Sequence, residues 1–256
     1  MILRSLRNGV VHRRQPANPK MIDGWLNSIQ NWLYPPTCLL CGDPGHEDRD
    51  LCEPCTRALP WIESACPSCG LPLAAPSPQS CGACQQKRPP FDRLLTVFRY
   101  EEPVRHLIQS LKFGARYPNA RLLGALLAER VSREAERPEV IIPVPLHASR
   151  YRQRGFNQAQ DIARIVARQA GIPLDIMACR RVRATEAQAQ LDADTRRKNI
   201  RKAFAMMSTV RRPYRHVAIV DDVVTTGATV GELAKILRRA GVETIEVWAC
   251  ARALPR

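Results

Sequence analysis

The chain has 256 residues, of which 45% are hydrophobic, and a formal net charge of +15. These values are those of a globular protein with one large or two smaller domains, and no apolar run approaches the length of a membrane span. The charge favours a polyanionic partner, either nucleic acid or a phosphorylated small molecule, and does not choose between them.

Residues 1–20 are basic and lack hydrophobic periodicity, which predicts a disordered tail that could add sequence-independent affinity for nucleic acid. The tail has no apolar core of the kind found in signal peptides, so we expect a cytoplasmic, reducing setting. In residues 21–34 the apolar side chains fall on one helical stripe, and Pro35 and Pro36 end the predicted helix.

Eight cysteines follow as four C-x-x-C pairs, a spacing that lets both sulfurs of a pair face one tetrahedral metal ion. They are Cys38/Cys41, Cys52/Cys55, Cys66/Cys69 and Cys81/Cys84. Glycine follows the second cysteine of the first and third pairs only, as expected for two successive zinc ribbons. We therefore predict that 38/41 joins 52/55 and that 66/69 joins 81/84, and a crossed arrangement stays open.

Two Zn²⁺ ions held in this way would be structural, because four thiolates leave no open coordination position for catalysis. Four disulfides are the alternative, and the expected reducing setting argues against them. A catalytic dithiol would explain one pair but not four. Whether the ribbons contact nucleic acid, a protein or the rest of the chain stays open at this stage.

The composition shifts near residues 85–90, which predicts three regions: the tail at 1–20, a helix with a double ribbon at 21–90, and a second domain at 91–256. In the last region predicted strands alternate with helices. Strands are expected over 91–100, 139–145, 175–182, 204–207, 217–220 and 244–249. This alternation predicts an α/β fold with a mainly parallel sheet flanked by helices.

The segment 217–230, VAIVDDVVTTGATV, predicts a ligand site. A buried strand is followed by Asp221 and Asp222, then by a turn of hydroxyl and glycine residues, then by a helix. Unpaired amides at a helix N-terminus attract phosphate, and Gly227 permits a close backbone approach. Two carboxylates suit a sugar diol or a hydrated metal ion, so ribose 5-phosphate fits; a Walker-B-like magnesium site is the alternative, but no G-x-x-x-x-G-K-[ST] loop accompanies it.

This segment resembles the phosphoribosyl pyrophosphate (PRPP) loop of type I phosphoribosyltransferases. Together with LKFGAR (111–116), PVPLH (143–147), RQRGFNQA (152–159), the 188–200 stretch and the cysteine pairs, the chain resembles the ComF family. The resemblance implies a double zinc ribbon joined to a phosphoribosyltransferase fold. It also implies a link to natural competence, with single-stranded DNA and a competence-machinery protein as partners.

The resemblance also assigns roles to individual residues. Asp221 and Asp222 would hold the ribose hydroxyls with Mg²⁺, and Thr225, Thr226, Gly227, Ala228 and Thr229 would hold the 5-phosphate. The pyrophosphate would meet Lys112, Val144, Pro145, Leu146, His147, Arg152, Arg154 and Asn157. The 154–158 segment is interpreted as a mobile loop over the site, as a helix start capped by Asn157, or as both.

Several features leave the function divided between two hypotheses. One is a PRPP-binding accessory of DNA uptake, and the other is an active transferase whose small-molecule acceptor is unknown.

His147 is interpreted as a loop residue rather than a general base, and Cys179 and Cys250 as core thiols. A basic patch comprises Arg180, Arg181, Arg183, Arg196, Arg197, Lys198, Arg201 and Lys202. This patch either binds polyanions or is an ordinary solvated face.

Overall fold

The computed structural model describes residues 35–77, 79–114, 116–184, 200–207 and 214–254. The predicted basic tail and the helix over 21–34 lie outside these residues. So do most of the 188–200 stretch and Arg196, Arg197 and Lys198 of the basic patch. In the described part of the chain, no helix combines the length and the apolar character that crossing a membrane requires.

The elements occur in the following order along the chain. They are α1 (Glu53–Arg57), α2 (Gly82–Gln86), β1 (Arg93–Arg99), α3 (Val104–Gly114), α4 (Tyr117–Glu134), β2 (Val140–Pro143), α5 (Ala148–Arg154), α6 (Gln158–Ala170), β3 (Cys179–Arg181), β4 (Phe204–Met206), β5 (His216–Val224), α7 (Ala228–Arg239) and β6 (Thr244–Arg252). Helices follow β1, β2 and β5, as expected where parallel strands need crossover connections.

Four strands form a parallel sheet in the order β1-β6-β5-β2, and β3 pairs with β4 in a separate antiparallel ribbon. One face of the sheet packs with α3, α4 and α6 through residues such as Leu111, Leu123 and Ile162. The other face packs with α7 and the β3–β4 ribbon through residues such as Leu233 and Phe204. The predicted α/β class with a mainly parallel sheet is confirmed.

The cysteine-rich segment packs against this sheet and its helices. Cys38, Leu51, Cys52 and Leu59 are buried in the same apolar core as α3 and α4. The stretch between the two cysteine groups also covers the edge of β1: Ile62 N donates to Val97 O at 2.9 Å. One contact of the ribbons is therefore the α/β part of the same chain.

Several strand boundaries differ from the sequence prediction, and the largest differences concern β5, β3 and β6. β5 continues through Val224, so Asp221 and Asp222 lie inside the strand rather than after it. The cause is the partner strand: β6 runs to Arg252, and the pairing continues through Asp221 with Ala249 and Val224 with Arg252. The predicted strand over 175–182 is reduced to β3, and Ala228 and Thr229 belong to α7.

Candidate ligand site and metal centres

The loop after β2 and the acidic pair of β5 meet at the carboxyl edge of the sheet. Pro143 is paired with Val220, and Val144 N donates to Val220 O at 2.9 Å. The loop Val144, Pro145, Leu146 and His147 therefore begins beside the residue that precedes Asp221. The parallel register of β2 and β5 therefore brings these two strand exits together.

Asp221 and Asp222 are adjacent on β5, and both are buried. Asp222 lies on the face that carries α3, where Lys112 Nζ is 2.5 Å from its Oδ2. Asp221 Oδ1 accepts from the Asp222 amide at 2.9 Å. Lys112 thus pairs with only one of the two carboxylates.

The ionisation of Asp221 and that of Lys112 both depend on burial and on neighbouring charges. Burial and the neighbouring charge of Asp222 raise the pKa of Asp221 well above its ordinary value, although Lys112 opposes this shift. Burial alone would lower the pKa of Lys112, but Asp222 and Asp221 raise it above its ordinary value. A further positive charge, supplied by a ligand or by a metal ion, would favour the ionised form of Asp221.

The turn after β5 has the backbone features of a phosphate-binding loop. Gly227 has a φ of 75° and is the residue before α7, and no atom lies within 4 Å of the position where a Cβ would stand. Thr226 Oγ1 accepts from the Ala228 amide at 3.3 Å. The five residues Thr225, Thr226, Gly227, Ala228 and Thr229 are all half-buried. The turn therefore leaves open space beside the first amides of a helix.

His147 and Asn157 are both helix caps. His147 Nδ1 accepts from Ser149 N at 3.3 Å at the start of α5. Asn157 is buried; it donates to Val144 O at 3.0 Å and accepts from Ala159 N at 3.1 Å. The capping interpretation of Asn157 is confirmed, and Asn157 also ties α6 to the loop after β2. The mobile-loop interpretation of 154–158 stays a prediction.

The two arginines of α5 differ in their surroundings. Arg152 is exposed, whereas Arg154 donates to Gln158 Oε1 at 2.6 Å and its guanidinium lies 5.5 Å from the ring centre of Phe113. Burial lowers the pKa of Arg154, while the charge of Asp222 acts in the opposite direction. Arg154 is therefore close enough to Asp222 for the two charges to interact.

Sequence reasoning placed Arg181 only in the basic patch, but the structure brings it to the site. Arg181 and His147 form a parallel bridge between their backbones. Burial lowers the pKa of Arg181 to about 10, and the charge of Asp221 opposes this shift. No motif surrounds Arg181, so only its place on the short strand β3 could have indicated this position.

The eight paired cysteines form the two groups predicted from their spacing. Cys38, Cys41, Cys52 and Cys55 have their ligand atoms within 4.8 Å of one another, as do Cys66, Cys69, Cys81 and Cys84. All eight are free thiols, so the disulfide alternative and the crossed arrangement are both wrong. Cys179 and Cys250 are buried, as predicted for core thiols.

The surroundings of each group fit a thiolate metal site. Burial opposes ionisation of Cys38, but hydrogen bonds from the amides of Cys52, Cys41 and Leu40 lower its pKa to about 6. The same balance lowers the pKa of Cys66 to about 7, and the Cys81 amide donates to Cys66 Sγ at 3.2 Å. Four cysteine sulfurs in one group, one of them supported by several amides, are the ligand set of a structural Zn²⁺, which would supply folding free energy to both ribbons.

Comparison with known proteins agrees with this arrangement. A family model described as a double zinc ribbon domain matches residues 29–85. The "DNA utilization protein YhgH" of Salmonella typhimurium is 40% identical over 226 residues, which are 86% of this chain and 98% of that protein. "Competence protein F" of Haemophilus influenzae is 39% identical over 84% of this chain and 96% of that protein. The chain belongs to the ComF family.

Other proteins are similar to this chain at lower identity. "Competence protein ComFC" of Streptococcus pneumoniae is 26% identical over 84% of this chain and 99% of that protein. A solved purine phosphoribosyltransferase from Pyrococcus horikoshii is 19% identical over 52% of this chain and 73% of that chain, with a TM-score of 0.34. The glutamine PRPP amidotransferase of B. subtilis is 23% identical over 50% of this chain and a quarter of that chain, with a TM-score of 0.34.

Proposed function

We propose that this ComF-family protein binds Mg-PRPP at the carboxyl edge of its sheet and works in the handling of single-stranded DNA. The observation that carries the proposal is the buried pair Asp221 and Asp222, which lies on β5 directly before the open turn at Gly227. Only Val223 and Val224 of β5 separate the carboxylates, which suit a diol or Mg²⁺, from the turn, which suits a phosphate, so the two parts of ribose 5-phosphate could be held side by side.

The cations around this edge support a pyrophosphate beside the ribose. Lys112 contacts Asp222, and the charge of Asp222 also acts on Arg154. The backbone of Arg181 pairs with that of His147 on the loop after β2. With bound Mg-PRPP, Lys112 would exchange its contact with Asp222 for one with a phosphate oxygen, and the carboxylate would become free for the diol or the metal ion. Charge-assisted hydrogen bonds of this kind are about twice as strong as neutral ones.

The DNA part of the proposal depends on the relatives, whose names refer to DNA utilization and to competence. The net charge of +15 and the exposed arginines near β3 support a nucleic-acid partner. The alternative is a phosphoribosyltransferase that displaces pyrophosphate from PRPP with an unidentified small-molecule acceptor. In that case Mg²⁺ would neutralise the charge of the pyrophosphate leaving group, and the protein would position PRPP and the acceptor.

Isothermal titration calorimetry with Mg-PRPP tests the binding proposal. Hydrogen bonds to charged groups contribute about 1.5–3 kcal/mol, so we expect Asp222→Asn to weaken binding by about tenfold or more. Replacing both Asp221 and Asp222 by alanine should abolish binding. Glu243→Gln is the matched control, because Glu243 is an exposed carboxylate at the amino end of β6.

Equal affinity of the wild type and of the double alanine variant would refute the proposed site. A turnover assay that follows pyrophosphate release then separates the two functions. Release that depends on one member of a panel of acceptors, with DNA included in the panel, would favour the transferase. Tight binding without release would favour the accessory role.

A further inference from the structure

Arg252 lies at the carboxyl end of β6 and is a buried cation that the site described above does not use. Arg252 exposes only 7% of its surface to solvent. The guanidinium bonds to backbone carbonyls, and within the described residues no carboxylate is paired with it. Burying a guanidinium is costly unless its donors are satisfied, so these carbonyls must be held in position around it.

Nη1 of Arg252 donates to the neighbouring Ala253 O at 2.7 Å, and the other carbonyls around the guanidinium come from two separate functional regions. On one side, Nε donates to the carbonyl oxygen of Cys69 at 2.9 Å. On the other side, Nη1 donates to Val224 O at 3.2 Å and also to Thr225 O. Cys69 is a ligand of the second zinc ribbon, and Thr225 opens the turn that we propose holds the 5-phosphate. One side chain therefore connects the metal centre to the turn.

The second ribbon contacts strand β1 close to Arg252. Leu94 N donates to Pro67 O at 3.3 Å, which attaches the first knuckle of that ribbon to β1. Gly70 follows Cys69 with a φ of 66°, and a Cβ there would lie 2.3 Å from Leu94 Cδ2. The position of the Cys69 carbonyl is thus fixed in two ways. Its neighbours Pro67 and Gly70 contact β1, and a metal ion would hold the knuckle to which Cys69 belongs.

We propose that Arg252 is a positioning residue that couples the second zinc ribbon to the phosphate turn. With the knuckle closed on its metal ion, the Cys69 carbonyl holds the guanidinium, and the guanidinium orients the carbonyls of Val224 and Thr225. The amides that follow then point into the turn. This inference rests on the proposed function, since it concerns the site at which PRPP would bind.

A purely structural role predicts a different result. If Arg252 only fills a buried space, its loss lowers the stability of the whole chain and leaves ribbon and turn independent of each other. Coupling is instead measured as a change in the effect of one alteration when the other is already present. The test therefore uses two alterations, singly and together.

The first alteration is Arg252→Met, with Arg252→Lys as a second variant that keeps the charge but not the fork of donors. The second alteration opens the second ribbon through Cys81→Ser with Cys84→Ser, which leaves Cys69 unchanged. Opening the first ribbon through Cys41→Ser with Cys55→Ser is the matched control. Zinc content is measured for every protein, and Mg-PRPP affinity is measured by calorimetry.

With Arg252 present, opening the second ribbon should weaken Mg-PRPP binding by at least about fivefold, a typical allosteric coupling. In the Arg252→Met background the same opening should change the affinity by less than about twofold. Opening the first ribbon should have the same effect in both backgrounds. An equal loss from opening the second ribbon in both backgrounds would overturn the inference.

Amide hydrogen exchange of residues 224–229 gives a readout that needs no ligand. We expect faster exchange in Arg252→Met and in the opened second ribbon, with no further increase when the two are combined. Unchanged exchange in either single variant would overturn the coupling. If the wild type does not bind Mg-PRPP, the proposed function fails, and hydrogen exchange still decides this inference separately.

Discussion

Asp221 is the residue whose ionisation the fold opposes through both burial and the adjacent charge of Asp222. A carboxyl group whose pKa is raised binds its proton more tightly in the folded state than in the unfolded chain. Its contribution to stability is therefore complete at low pH. The contribution is lost as the pH rises from about 3.9, the ordinary aspartate value, to the raised value.

Asp221→Asn should consequently raise the melting temperature at neutral pH, because asparagine removes the ionisation that the site disfavours. The gain should shrink as the pH falls toward 4, where Asp221 is protonated in the wild type. Thermal unfolding between pH 4 and pH 8 measures this difference. Glu243→Gln is the control, because Arg215 lowers the pKa of Glu243 and its removal should not stabilise the chain at neutral pH.

Residue identity predicted much of this site because its members occur in short sequence segments. The acidic pair, the turn at Gly227 and the cap at Asn157 each carry a local pattern, and the structure shows the positive φ of Gly227 and the hydrogen bonds of Asn157. Arg252 has no such pattern. Its partners Cys69 and Thr225 are distant in sequence, so only the three-dimensional arrangement shows its position.

At the level of single elements, strand pairing decided what hydrophobic periodicity could not. The apolar run that predicts β5 ends at Val220, yet β6 continues beside it and keeps Asp221 through Val224 in the strand. The sequence shows which residues are polar but does not show how far a neighbouring strand extends.

The first ribbon and helix α4 form one packed unit. Cys38, Leu51 and Cys52 share the core of α3 and α4, and Arg121 of α4 pairs with Asp50. Removing the metal should therefore expose amides of α4 as well as those of the ribbon. Structural zinc contributes about 10–16 kcal/mol in zinc-finger peptides, so its loss is expected to unfold the ribbons.

Chelation followed by hydrogen exchange measures this effect. We expect faster exchange over residues 117–134, while the α7 segment on the opposite face of the sheet is less affected. Adding back Zn²⁺ should restore the original rates. If exchange in α4 stayed unchanged after complete metal loss, the ribbon would not support the α/β part of the chain.

On the scale of the whole molecule, the excess positive charge predicts salt-dependent binding of single-stranded DNA. Each phosphate contact contributes about −0.7 to the slope of log K against log salt for a single strand. Replacing Arg180 and Arg183 by glutamine should reduce the magnitude of that slope by up to about 1.4. Fluorescence anisotropy with a labelled oligonucleotide measures the slope.

The control replaces Arg133 and Arg168, which lie in the last turns of α4 and α6. This double variant loses the same charge but not the β3 surface, so its slope should stay close to that of the wild type. An affinity that does not change between low and high salt would contradict a DNA-binding role for the basic surface.

A crystal structure of the protein with Mg-PRPP would show whether PRPP occupies the carboxyl edge of the sheet. We expect the 5-phosphate on the amides of residues 225–229, the ribose and Mg²⁺ at Asp221 and Asp222, and the pyrophosphate beside the 144–147 loop. Lys112 should then contact a phosphate oxygen. Density for PRPP at another surface, with Lys112 still paired to Asp222 and the turn unoccupied, would contradict the account.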